Sequence, residues 1–120
     1  MYKRSEKVAE AIHQIVSELL LHGLKDPRIG FVTITGVKMT DDLSMATIYF
    51  SVVGSEEEKK NTSAGLRSAS GYIRKEVGGC LKLRHVPEIR FLFDESLERA
   101  TTIERLLRQI HEENHDTVDS

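Results

Sequence analysis

The sequence has one cysteine, Cys80, only two prolines, and no apolar run near the roughly 20 residues that a membrane span requires. One cysteine can neither close an internal disulfide nor build a thiolate metal centre, so stability must come from packing. The opening residues, Met1-Tyr2-Lys3-Arg4-Ser5-Glu6-Lys7, lack the hydrophobic segment of a secretory signal, and a cytoplasmic location with no membrane partner is expected. Internal repeats are missing too. So are a phosphate-binding glycine loop, a dinucleotide fingerprint and a nucleophile elbow. His13, His22 and His85 are scattered as surface or structural histidines are, and Asp41-Asp42 suits a turn better than a catalytic pair. An enzyme has nothing here to carry it, and neither a cofactor nor a small-molecule substrate is expected.

One string imitates a catalytic motif. His111-Glu112-Glu113-Asn114-His115 matches H-E-x-x-H, in which two histidines one helical turn apart bind zinc. Catalytic zinc needs a third protein ligand and a shaped pocket. Only five residues follow this string, and its surroundings are acidic and poor in apolar residues, so it reads as chance.

What is present is enough for one core: 120 residues at 39% hydrophobic content. Val8, Ile12, Ile15, Val16 and Leu19 fall on one helical face, with Gly23 placed to end the helix and Asp26-Pro27 to turn the chain. Phe31-Val32-Thr33-Ile34-Thr35 and residues 45–53 read as strands around a Thr40-Asp41-Asp42-Leu43 turn, with Ala46, Ile48, Phe50 and Val52 facing inward. Ser55 and Glu58 make a capping box. Leu66, Ala69, Ile73, Val77 and Leu81 continue a helix past Gly71, whose helix-interior cost of about 1 kcal/mol suggests a kink there. Gly78-Gly79 is placed to stop or fray this helix, and Pro87 introduces a strand over 89–93. Asp94 then caps a last helix with Leu97, Ile103, Leu106, Leu107 and Ile110 inward. The order is helix, strand, strand, kinked helix, strand, helix: an α+β domain over residues 1–111 with a three-stranded sheet covered on one face. Residues 112–120 read as an acidic, disordered tail.

The formal net charge of −2 hides an uneven distribution. Residues 66–90 carry six Lys/Arg against two acids, a local excess of +4, whereas residues 94–120 carry eight acids against three bases. One basic face can therefore coexist with an acidic end.

Lys25-Asp26-Pro27-Arg28-Ile29, Val32-Thr33-Ile34-Thr35, Val37, Asp42-Leu43, Ala46 and Ile48-Tyr49-Phe50-Ser51 together resemble the ribosome-binding factor A family. So do Pro87-Glu88-Ile89-Arg90-Phe91, then Asp94, Ser96, Ile103 and Leu106-Leu107, and at the start Arg4, Lys7-Val8-Ala9 and Ile12. Lys7 stands where arginine is commoner in the family. The similarity covers residues 3–110 in one order. It implies a type II KH fold in which a kinked Ala-x-Gly, here Ala69-Ser70-Gly71, replaces the usual Gly-x-x-Gly loop. It also implies a monomeric, non-catalytic factor that binds free or immature small (30S) ribosomal subunits through 16S rRNA, assists late rRNA processing, and serves in cold adaptation.

A helix restarting at Ser70-Gly71 would offer free amides to a phosphate, and Arg74 and Lys75 would lie in its first turn, where the helix dipole disfavours cations. Arg67, Gly71, Arg74/Lys75, Gly78 and Lys82 would make one stripe, with Arg84 beyond it. Lys3, Arg4 and Lys7 form a second basic group, Lys25 and Arg28 a third. The competing reading makes these bases a solvated helix surface and Gly71 a close packing contact. The rival function, a generic single-stranded RNA-binding KH module, would need a flexible Gly-x-x-Gly loop gripping about four nucleotides.

Overall fold

The apolar spacing at the start of the chain forms α1 (Arg4–His22), which buries Ala9, Ile12 and Val16 against β1 (Val32–Met39). A computed structural model describes residues 3–22, 24 and 26–119, of which 97–101 and 113–119 are described in backbone only. The expected helix end at Gly23 lies outside the described residues.

β1 pairs antiparallel with β2 (Met45–Val52), and β2 pairs parallel with β3 (Glu88–Phe93), giving the sheet order β1-β2-β3. The β1–β2 turn closes as its residues foretell. The Thr40 and Ser44 hydroxyls and the Ser44 amide all donate to the Asp42 carboxylate at 2.7–3.1 Å. Alternation puts Ala46, Ile48, Phe50 and Val52 in the core, as expected. β1 runs further than the expected 31–35, because Val37 and Met39 resume the inward alternation after a bulge at Thr35. Phe31 stays outside the strand and is 90% exposed.

A parallel pair needs a long crossover, and α2 (Glu56–Leu81) supplies it. Ser55 caps it, its hydroxyl accepting the Glu58 amide hydrogen at 3.2 Å. Thr62, Leu66, Ile73 and Val77 are at most 1% exposed, and each fully buried aliphatic among them stabilises by about 1.5–3 kcal/mol. α1 and α2 touch each other on one face of the sheet. This is the expected α+β arrangement in the expected order.

Three sequence expectations are corrected. First, α2 is one unbroken helix through Ala69-Ser70-Gly71, and the Ser70 hydroxyl donates to the Arg67 carbonyl at 2.8 Å instead of capping a new helix. Second, Gly78-Gly79 does not stop the helix. It ends at Lys82, left-handed at φ 50°, whose amide donates to the Gly78 carbonyl. Gly78 serves packing instead, since a Cβ there would lie 2.7 Å from Val86 Cγ2; at Gly65 it would lie 2.7 Å from Ile29 Cγ1. Third, α3 (Ser96–Asp119) leaves its apolar stripe uncovered. Its Ile103, Leu106, Leu107 and Ile110 are 52–60% exposed, not inward, because the helix projects away from the sheet. A radius of gyration of 18.8 Å, against about 14 Å for a compact chain of this length, reflects that projection. The side chain of Leu97 lies outside the described ones.

Candidate nucleic-acid interface

Chain direction decides where the bases meet. Because β3 runs parallel to β2, the end of α2 and the loop into β3 must return to the end of the sheet where β2 begins. That end also holds the β1–β2 turn, and the start of α1 sits against it, with Ser5 Oγ 3.5 Å from Asp41 Oδ1. Lys3 just before α1, Arg4 and Lys7 on α1, Arg74 and Lys75 on α2, and Lys82 and Arg84 in the following loop are all exposed at this one end. Two groups that were separate in sequence thus become one basic end. Gly71, Arg74, Lys75, Arg84, His85 and Val86 line a shallow, open cleft within it.

Arg74 has a second duty there. Its Nε donates to the Pro87 carbonyl (3.1 Å) and its Nη2 to the Val86 carbonyl (3.0 Å), with Glu88 Oε1 3.5 Å away. The guanidinium therefore clamps the loop that carries Lys82, Arg84 and His85, while about 45% of its side chain remains exposed. Replacing Arg74 by alanine is expected to cost about 1–3 kcal/mol in urea unfolding, since two carbonyls lose a charged donor. Arg74→Lys should recover little, because one ammonium cannot reproduce the planar fork.

The remaining expected residues part from this cluster. With α2 unbroken, no free amides arise at Ser70-Gly71, and Arg74 and Lys75 do not occupy a helix start, so the dipole reasoning lapses. Ala69 packs on the core, and of the Ala69-Ser70-Gly71 triplet Gly71 alone is exposed. A Cβ at Gly71 would meet nothing within 4 Å, so close packing does not explain that glycine. Arg67 lies two turns back, in a cleft it shares with Glu56, Lys59, Phe93 and Glu95. Lys25 lies outside the described residues. Arg28 sits at the opposite end, beside Thr62 and Gly65, with its charge committed to Asp26 through Nη2–Oδ2 at 2.6 Å and Nε–Oδ1 at 3.0 Å.

The side-chain hydrogen bond from Arg28, joined by its backbone amide, holds the Asp26 carboxyl down at about 2, below its usual value of 3.8. A depressed carboxyl pKa means that the pair supports the loop above the ordinary carboxylate range and is lost as pH falls toward 2. A carboxyl-detected NMR titration should find the Asp26 midpoint near 2, and Arg28→Ala, which removes the guanidinium but keeps the backbone amide donor, should raise it part of the way back toward 3.8.

Sequence reasoning did not single out Lys38 and Arg90 as candidates. Both are exposed on the uncovered face of the sheet, near the basic end. Alternation out of phase with the core residues of β1 and β3 marks each as outward. Their placement on either side of Thr47 needed the strand order. His85, in the cleft, had no sequence signal at all.

Comparison with known proteins now bears on this geometry. The family model described as Ribosome-binding factor A matches residues 4–107. The chain belongs to that family. A curated ribosome-binding factor A from Geotalea daltonii is 61% identical over 119 residues, covering 99% of this chain and 97% of the relative. The solution structure of a putative ribosome-binding factor A from Thermotoga maritima superposes with a TM-score of 0.67 at 35% identity, over 75% of this chain and 86% of that one. A homology model of the Thermus thermophilus ribosome-binding factor A, fitted into a cryo-EM map of a 30S complex with that factor, shares the fold, with a TM-score of 0.62 at 20% identity over 79% of this chain and 97% of that one.

Among the described residues no three or more His, Cys, Asp or Glu side chains are arranged to hold a metal. The side chain of His115, the second histidine of the H-E-x-x-H string, lies outside them. No helix among the described residues is long and apolar enough to cross a membrane.

Proposed function

We propose that this chain binds free or immature small (30S) ribosomal subunits as a monomer, contacts 16S rRNA, and assists late rRNA processing without catalysing a reaction itself. A cytoplasmic setting and service in the cold belong to the same reading. It is carried by one observation: the stretch matched to the family, residues 4–107, brings the exposed bases of α1, α2 and the α2–β3 loop to one end of the fold. A chain of net charge −2 gains nothing from such a concentration of cations unless a polyanion lies opposite it. The 30S complex of the Thermus relative, which shares the fold, supports the choice of polyanion.

An end-on basic surface suits folded rRNA, whose phosphates lie at fixed separations on a rigid shape. A generic KH module is less well supported, since the unbroken α2 offers no Gly-x-x-Gly loop to grip four nucleotides. Co-sedimentation tests the reading. The full chain should travel with free small subunits at a level well above that on assembled ribosomes. Equal recovery on both, or none on either, would sink it.

A further inference from the structure

Among the described residues, the helices pack on one face of the sheet. On the other face, strand register places Lys38 opposite Thr47 and Thr47 opposite Arg90, a row crossing all three strands with a cation at each end. The next outward row is Gly36, Tyr49 and Leu92, followed by Thr33 opposite Ser51. The Lys38 and Arg90 side chains are exposed and make no ion pair or hydrogen bond among the described residues. Two strand spacings separate their backbones, about 10 Å, and the Tyr49 row lies about 7 Å further along.

Gly36 adds an independent observation. A Cβ built there would meet nothing within 4 Å, and its backbone does not take a positive φ. Neither packing nor conformation demands glycine at this position, which leaves open space beside the Tyr49 side chain. A glycine inside a strand marks a bulge or a place where something approaches closely, and here the bulge is already made by Thr35.

We propose that this open face is a second RNA contact, taking an unpaired polyribonucleotide segment that stacks one base on Tyr49 and sets its flanking phosphates against Lys38 and Arg90. The proposal rests on the reading of the chain as an rRNA-binding factor and adds a surface, a strandedness and named residues to it. Charge complementarity selects a polyanion. The aromatic ring one row along from the cations, with the hydroxyls of Thr33, Thr47 and Ser51, selects RNA over an acidic peptide, which would leave the ring and the hydroxyl rows without use. A base held in a duplex cannot reach a ring lying on a sheet, so the segment must be single-stranded.

Fluorescence anisotropy of the full chain with a fluorescein-labelled octauridylate tests this, with an eight-base-pair RNA duplex as the comparison and small-subunit co-sedimentation run in parallel. The wild-type chain should bind octauridylate more tightly than the duplex. Tyr49→Ser should weaken that binding by about 5- to 100-fold, while Tyr49→Phe, which keeps the ring, should not. Lys38→Ala with Arg90→Ala, which leaves the core untouched, should weaken it and lower the log–log salt slope by about 1.4. Octauridylate binding that is absent, equal to duplex binding, or insensitive to these variants overturns the proposal. If the wild-type chain still co-sediments with small subunits in that case, the proposed function stands. Failure of the wild-type chain to co-sediment would remove that function instead.

Discussion

Lys75→Glu combined with Arg84→Glu is expected to reduce affinity for small subunits by at least about tenfold near physiological salt, and to lower the slope of log affinity against log salt by about 1.4–1.8. The two side chains line the same cleft, and neither makes an ion pair or hydrogen bond among the described residues, so they are spare charges for an outside anion. Each phosphate neutralised releases counterions and contributes about 0.7–0.9 to the slope. Exposed positions of this kind change stability by no more than about 0.5 kcal/mol, so the urea midpoint should stay in place. That separates the pair from Arg74, whose loss damages the fold and the surface together. Filtration or sedimentation binding at four salt concentrations checks the outcome. An unchanged slope would mean that the cleft does not face rRNA.

Phe50→Ala should cost about 3–5 kcal/mol, a large share of the 5–15 kcal/mol typical of a whole domain. Phe50 lies in the central strand, is 1% exposed, and meets Phe91 and Phe93 edge-on at centroid distances of 6.4 and 5.7 Å. Those two rings hold β3 against β2, and each such pair adds about 0.5–1.5 kcal/mol beyond area burial. A cavity at this point loosens the parallel pairing on which the position of the α2–β3 loop depends. The urea midpoint should fall steeply with little change in slope. Phe50→Leu, which keeps most of the volume, should lose less. Small-subunit binding by Phe50→Ala should fall in proportion to the unfolded fraction, whereas Lys75→Glu/Arg84→Glu loses binding while folded.

Features that depend on neighbours in the chain were readable in advance. The inward sets of α1, β2 and α2, the Asp42 turn and the Ser55 cap all follow from periods of 3.6 or 2 residues and from side chains reaching backbone a few positions away. The kink at Ser70-Gly71 failed because glycine's intrinsic cost was weighed without the packing on either side of it. Leu66 and Ile73 are wholly buried, and that burial keeps the helix unbroken through an unfavourable residue. The stripe on α3 misled for a related reason, since an apolar face announces that burial would be favourable without saying that a partner stands within reach.

By itself, then, the sequence determined the order of elements, the core and the family, because periodicity and local hydrogen bonding are properties of contiguous residues. Tertiary structure alone decided which charges act together. The parallel β2–β3 pairing returns the end of α2 to the start of α1, sets Arg74 against the carbonyls of Val86 and Pro87, and lines Lys38 up with Arg90 across Thr47. Charge acts through space over about 10 Å, and no spacing along the chain states which distant residues a fold brings within that range.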